Sequence, residues 1–422
     1  MTSDSLTDAR WWRDQPVLRR MVADLLAGEM ALMRPGVRLL AQPWPMALDL
    51  RADLGADSLD LMGLATALET VLRLHHRPPA DAGAASPAST RLHDWVAAAR
   101  SALDADGSAL TFRTSGSSGA PKPCTHALAA LWQETLELAA LFPGRRRIVS
   151  LVPSHHIYGF LFTVLLPRRL GLGAEDVADL RGQAPGALAA QLRPGDLVVG
   201  FPDSWRGFSE QAGTAIPGDI IGVTSTAPCP DHVARGVLDA GLARLVQVYG
   251  SSETAGVGWR DRADGDYTLF GYWRRAQEAD RLERSMPDGQ HQSYPLQDRL
   301  DWSDAQHFRP AGRVDQAVQV GGINVFPHYV TDVLKLHPQV ADASVRLMRA
   351  DEGHRLKAFV VPRQIDAALP DAARAGTLRT ELHAWLGERL SAAECPAAIS
   401  FGAALPRGAS GKLADWIIDA CL

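Results

Sequence analysis

Apolar residues along this chain repeat with two different periods, and the changes of period mark out its elements. From Val17 to Met33, Met21, Leu25, Leu26 and Met30 recur at steps of three to five residues, which predicts an amphipathic helix. Leu61, Leu64, Leu68, Val71 and Leu72 form the stripe of a second helix, and Thr90 to Leu103 reads as a third. A Pro/Ala/Ser-rich stretch from Pro78 to Ser89 separates the last two and reads as a linker. Beyond Ser108 the pattern changes. Ala109 to Arg113 alternates as a strand does, His126 to Phe142 is helical, and Arg147 to Val152 is again a strand. Leu197 to Phe201, Asp219 to Val223 and Leu245 to Val248 are short apolar runs of the kind that fill parallel sheets buried on both faces. Strands alternating with helices predict a layered α/β domain. After residue 315 a smaller α+β set follows: a strand and glycine loop from Val318 to Ile323, a helix from Pro327 and a strand from Arg355 to Val361. A last helix carries the stripe Leu378, Leu382, Trp385, Leu386 and Leu390.

Composition narrows the function classes. At 422 residues the chain has room for two or three domains. A net charge of −5 gives no electrostatic reason to expect nucleic acid or an anionic membrane. Met1-Thr2-Ser3-Asp4 lacks the regions of a signal peptide, and the longest apolar run, Ile157 to Leu166, is too short for a membrane span, so a cytoplasmic location is expected. The four cysteines, Cys124, Cys229, Cys395 and Cys421, show neither Cys-x-x-Cys nor zinc-ligand spacing and read as reduced thiols.

The candidate chemistry centres on Thr114-Ser115-Gly116-Ser117-Ser118-Gly119-Ala120-Pro121-Lys122. Such a loop offers backbone N–H groups, hydroxyls and one cation, the parts that surround a polyphosphate. It is not a Walker A loop, because Pro121 and Pro123 stand where that pattern needs Gly and Ser or Thr. Alone, it is equally an ordinary surface turn. Downstream stand Tyr249-Gly250-Ser251-Ser252-Glu253-Thr254, Gly312-Arg313-Val314-Asp315, Gly321-Gly322-Ile323-Asn324 and Pro406-Arg407-Gly408-Ala409-Ser410-Gly411-Lys412. In this order the set resembles the acyl-adenylate-forming (AMP-binding) enzymes: acyl- and aryl-CoA ligases, peptide-synthetase adenylation domains and luciferases.

The resemblance implies an adenylation core over residues 108–314 and a mobile C-terminal lid over 316–422, hinged at Asp315. It implies that ATP and Mg²⁺ are used to turn a carboxylic acid into acyl-AMP, which then passes to a thiol. Thr114, Ser115, Gly116, Ser117, Ser118, Gly119 and Lys122 would hold the β- and γ-phosphates, and Glu253 the metal. Thr254 would touch the α-phosphate, Tyr249, Gly250 and Ser251 the nucleotide, and Arg313 its ribose and phosphate side. Asp298, 14 residues before Gly312, stands for the ribose-binding Asp of relatives, with Asp301 as the fallback because the usual Thr-Gly before it is absent. His156, in Pro153-Ser154-His155-His156-Ile157-Tyr158-Gly159, would meet the acid, and Ser225, Thr226 and Ala227 would line its pocket with Gly250. Tyr158, Phe160 and Trp205 are candidate walls. Lys412 would reach the α-phosphate and carboxylate. Gln319 stands where many relatives have Lys, and Thr331-Asp332 replaces an acidic helix start.

Residues 1–104 resemble an acyl carrier protein, with Asp57-Ser58-Leu59 at the start of the second helix and Ser58 as the possible phosphopantetheine site. The plainer reading of that triplet is a helix cap. The whole is most similar to hydroxybenzoate-activating ligases of bacterial aryl-polyene and xanthomonadin-type pigment pathways, which implies an aromatic acid delivered to a carrier protein supplied in trans. Free CoA is the alternative acceptor, for which the Arg145–Arg147 and Arg168–Arg169 runs are available. A non-catalytic carrier or scaffold is the second alternative.

Overall fold

The three helical patterns of the first hundred residues form α1 (Gln15–Met33), α2 (Ser58–Val71) and α3 (Leu92–Ala105). The coordinates are those of a computed structural model, which describes residues 9–34, 40, 42–74, 89–114, 122–210, 216–278, 280–314, 317–349, 351–363, 372–407 and 413–418. Local chemistry accounts for where these helices start. The Asp14 side chain accepts the Val17 N–H, and Asp57 closes a capping box in which its carboxylate takes the Leu59 and Asp60 N–H groups while Asp60 takes its own. The Asp57-Ser58-Leu59 signature is therefore accounted for as a cap. The helices pack on one another through α1, and their buried faces continue into the main core. Trp11, Met21, Leu26, Leu64, Leu68 and Trp95 belong to the same hydrophobic cluster as Phe112, Trp132, Phe160 and Val246.

Strands β1 (Ala109–Thr114) and β2 (Lys122–Ala127) form a small two-stranded sheet, and α4 (Leu128–Leu141) follows. The helix expected from His126 thus starts two residues later, behind a strand. Pro123 disfavours helix at Lys122, Cys124 and His126 alternate inward, and the Thr111 and Thr125 hydroxyls meet across the pair at 2.8 Å.

The apolar runs pair as expected. β3 (Arg147–Ser150), β4 (Val177–Asp179), β5 (Asp196–Gly200), β6 (Ile221–Thr224) and β7 (Arg244–Ser251) lie parallel in the order β4-β3-β5-β6-β7. β8 (Ala255–Arg260) turns back antiparallel on β7, β9 (Tyr267–Leu269) pairs with β8, and a hairpin of β10 (Trp273–Arg275), β11 (Arg281–Ser285) and β12 (His291–Pro295) makes a separate sheet. β13 (Asp298–Trp302) and β14 (His307–Arg313) complete a nine-stranded sheet at the β9 edge. A second cluster fills its other face, where Trp205 packs with Val149, Val198 and Val237.

The chain divides into two compact units, of which the second takes in Lys122 as well as the chain from Gly312 onward. In it β15 (Val318–Val320) and β16 (Ile323–Val325) form a hairpin whose turn residues, Gly321 and Gly322, have φ of 57° and 81°, the left-handed conformation that a two-residue hairpin turn requires. β17 (Val340–Leu347), β18 (Leu356–Pro362) and β19 (Ala398–Phe401) form a three-stranded sheet, with a helix at Pro327–Lys335 and another at Ala372–Gly387. Val325, Leu334, Val360, Leu382 and Leu386 share its core. Among the described residues no helix is long and apolar enough to cross a membrane.

Trp205 sets a tight limit on β6. A Cβ added at Gly222 would lie 2.5 Å from its Cη2 atom. Gly222→Ala is expected to destabilise the protein by about 1–3 kcal/mol through overpacking, read as a lower urea midpoint at unchanged slope.

Candidate active site

The carboxyl ends of β6 and β7 lie side by side, and each carries a residue in a conformation that L-amino acids rarely adopt. Thr226 has φ of 74° and Ala255 has φ of 59°. Such outliers gather where the surrounding structure holds a chain in a functional shape. They stand where open parallel sheets bind ligands. Gly250 is demanded by the same turn: a Cβ there would lie 2.1 Å from the Ala255 carbonyl oxygen.

The turn from Ser251 to Thr254 is braced from within. The Ser251 hydroxyl accepts the Glu253 and Thr254 N–H groups, each at 3.2 Å, and the Thr254 hydroxyl accepts the Ser251 N–H at 3.1 Å and donates to the Ala255 carbonyl. Thr254 is buried, so its hydroxyl works inside the turn here, not as an outward phosphate contact. Glu253 is half-buried and, among the described residues, its carboxylate accepts no hydrogen bond. A lone hard carboxylate beside a phosphate path fits Mg²⁺, which keeps waters and substrate oxygens for its other positions. Among the described residues there is no cluster of three or more metal-ligating side chains.

Three residues that the motifs do not name hold this turn from behind. His126 on β2 meets the Ser252 carbonyl through Nε2 at 2.6 Å, and burial holds its pKa below the ordinary histidine value. Glu134 on α4, wholly buried, accepts the Gly256 N–H at 3.0 Å. Arg284 on β11 donates to the Thr254 and Ala130 carbonyls, lies 3.9 Å from the Glu134 carboxylate and stacks over Tyr272. Burial raises the Glu134 pKa to about 7 against the pull of Arg284. No sequence signal marked His126, which was read as the start of a helix; the alternating burial of residues 122–127 is a property of the folded strand. Glu134 and Arg284 had no signal either.

Tyr249 and Asp298 come together as expected of nucleotide-binding partners, the Tyr249 hydroxyl donating to Asp298 at 2.7 Å. Asp301 is exposed, which favours Asp298 over its fallback. Ser225 donates to the Val248 carbonyl at 2.8 Å, and the buried Thr226 hydroxyl has no partner among the described residues. His156 is open to solvent yet enclosed by protein on most sides. Desolvation keeps its imidazole below the usual histidine pKa, and it is neutral at pH 7.

Some expectations change. Tyr158 is buried, with its hydroxyl shared between the Gly200 and Val223 carbonyls, Phe160 is in the main core and Trp205 in the second, so all three are packing residues and not pocket walls. Arg145 pairs with Asp219 and Arg147 with Asp196, while Arg146 between them is exposed. Thr114 ends β1 and Lys122 begins β2, exposed. Residues 115–121, Asp315 and Lys412, with the roles expected of them, lie outside the described residues. Arg313 ends β14.

A sheet with a braced, strained turn at its carboxyl edge, followed by a small α+β unit with a Gly-Gly hairpin, defines an adenylate-forming fold. The profile described as AMP-binding enzyme matches residues 50–279, and that described as AMP-binding enzyme C-terminal domain matches residues 330–412. A protein of Halorhodospira halophila named 4-coumarate–CoA ligase is 38% identical over 401 residues, covering 93% of this chain and 97% of its own length. One of the same name from Cereibacter sphaeroides is 36% identical over 423 residues, with coverage of 96% and 97%. The solved amide bond synthetase of Marinactinospora thermotolerans superposes with a TM-score of 0.59 at 17% identity, covering 94% of this chain and 92% of that one, a likeness of fold. The chain belongs to the AMP-binding enzyme family. It is an AMP-forming acid–thiol ligase, which sets aside the scaffold reading. The family match opens at residue 50, inside the segment that resembles a carrier protein, and the carrier-like reading of the N-terminus finds no support.

Two outcomes follow from this geometry. Asp298→Ala is expected to raise KM for ATP by about tenfold or more without moving KM for the acid, as steady-state kinetics would show. Glu134 binds its proton more tightly folded than unfolded, where its pKa is near 4.5. Stability should therefore fall as pH rises from about 4.5 to about 7 and level off above that. Glu134→Gln should remove this slope, worth at most roughly 3 kcal/mol, in urea unfolding compared at about pH 5 and about pH 8.

Proposed function

We propose that the protein activates an aromatic carboxylic acid of the hydroxycinnamate or hydroxybenzoate class with ATP and transfers the acyl group to the thiol of free CoA. The observation that carries this is the near full-length likeness to two proteins named 4-coumarate–CoA ligase. It moves the acceptor from the carrier protein expected from sequence to CoA, and it leaves the pigment-pathway assignment without support.

In the first step a carboxylate oxygen attacks the α-phosphorus of ATP, the bond to the β-phosphate oxygen breaks, and pyrophosphate departs from acyl-AMP. Both reactants are anionic, so the site must hold them in line and offset their repulsion. The 115–119 loop with Lys122 would grip the departing phosphates. Tyr249 and Asp298 would hold the nucleoside. Magnesium, when bound at Glu253, supplies charge that the phosphates share. The neutral His156 orients the acid without adding a competing charge. Lys412 supplies a cation at the forming bond. In the second step the thiol sulfur attacks the acyl carbonyl carbon, AMP leaves with the bridging oxygen, and the thiol proton passes to solvent.

The test is a pyrophosphate-exchange screen over 4-coumarate, 4-hydroxybenzoate and a long-chain fatty acid, followed by thioester assay with CoA and with a holo-carrier protein. Exchange with the aromatic acids and thioester with CoA are expected. Lys412→Ala should cut exchange about 10²–10³-fold. Exchange with the fatty acid alone, or acylation of the carrier alone, defeats the proposal. Co-expression with a phosphopantetheinyl transferase is expected to leave the intact mass unchanged, and a gain lost in Ser58→Ala would make Ser58 the acceptor.

A further inference from the structure

A carboxylate from the N-terminal helix reaches the loop that the proposed function assigns to the acid. Asp24, on α1, is 2% exposed and lies 130 residues before Ser154 in sequence. Its Oδ2 accepts both the Ser154 N–H, at 2.7 Å, and the Ser154 hydroxyl, at 2.6 Å. Its Oδ1 takes the Arg181 guanidinium at 2.6 Å, and Arg181 also binds Asp179 at the end of β4. Arg20, one turn earlier on α1, donates to the Thr163 carbonyl in the helix that continues from this loop.

The fit continues along α1. Gly28, one turn beyond Asp24, faces the His155 ring so closely that a Cβ there would lie 2.8 Å from Nε2. The His155 ring lies 4.1 Å from that of His156. The Nδ1 atom of His155 is buried with no partner, so its ring is placed by packing against Gly28 and His156 and not by a hydrogen bond of that nitrogen. A buried aspartate is stable only with its charge met, and here it is met by Ser154, by Arg181 just beyond β4 and by Arg20 on the same helix.

We infer that Asp24 is a positioning residue for acid selection: through Ser154 it fixes the Ser154–His156 turn, and through Gly28 the same helix sets how far the His155–His156 pair can move. The inference rests on the proposed function, in which His156 meets the acid. Asp24 touches no reacting atom. Its effect is expected on KM for the acid and not on KM for ATP, because the nucleotide contacts at Tyr249 and Asp298 lie on other strands.

Pyrophosphate exchange with 4-coumarate tests this in Asp24→Asn, Ser154→Ala and His156→Ala, each with its melting temperature measured. Asp24→Asn keeps one acceptor for Ser154 but loses the ion pair, and should raise KM for the acid about tenfold or more at unchanged KM for ATP. Ser154→Ala deletes a single hydrogen bond and should move the same constant the same way by about threefold or more. It decides the matter if Asp24→Asn does not fold. A lower melting temperature with both KM values unchanged in Asp24→Asn and Ser154→Ala, while His156→Ala raises KM for the acid, makes Asp24 merely structural and overturns the inference alone. If His156→Ala is silent as well, the assignment of the loop to the acid falls, and the inference with it.

Discussion

The turn that carries Glu253 depends on a pair of charges it never exposes. Glu134 and Arg284 are both almost wholly buried, and neither is tolerable in that place without the other. Between them they take up the Gly256 N–H and the Thr254 and Ala130 carbonyls, backbone groups that a strained turn cannot satisfy with a regular ladder. Arg284 also stacks on Tyr272 and lies over Trp273, so its position is set on three sides. His126 adds a third tie, from the strand that follows the phosphate loop. The β7 turn is thus tied through the protein interior to β2, α4 and β11, and its shape is fixed by packing.

The same economy appears at the N-terminus. Three helices precede the phosphate loop, and besides packing on one another through α1 they share the main core. A carrier protein needs a free second helix with a reactive serine at its head. Here the head of that helix is occupied by a capping box and by Arg34, which pairs with both Asp57 and Asp60. Arg113 on β1 is likewise paired with Glu29 of α1, so the first strand of the phosphate loop is tied to the N-terminal helix.

Four strands of the parallel core were legible because each is a short apolar run buried on both faces, and such runs have few other homes; their order was not. Tyr249 and Asp298 could be named together for a different reason: each sits in a local motif at a set spacing, and the structure brings the two side chains into contact. What the sequence hid were long-range polar contacts. Asp24 to Ser154 and Arg284 to Ala130 each span more than a hundred residues, and no periodicity encodes them. The aromatic residues near His156 were misread as pocket walls because an aromatic beside a ligand motif and an aromatic in a core have the same local sequence. Only the carbonyls taken up by the Tyr158 hydroxyl separate the two.

Beyond the end of β6 lies a polar group with no partner among the described residues. The Thr226 hydroxyl is buried, on a residue held at positive φ, at the end of β6. Burying a hydroxyl without a partner and holding a β-branched residue in the left-handed region both cost free energy, on the order of 1–3 kcal/mol each. A neighbouring hydroxyl, that of Ser225, bonds the Val248 carbonyl and so has no such need. Strain and an unmet donor in one residue are consistent with a position shaped for something outside the polypeptide. A carboxylate or a purine ring would supply the missing acceptor, and the backbone of β6 would then present it within reach of the turn at Glu253. The unfavourable conformation at Thr226 and the buried charges at Glu134 and Arg284 are separate devices on neighbouring strands: the interior holds the β7 turn rigid, while the β6 turn keeps a buried hydroxyl without a partner among the described residues.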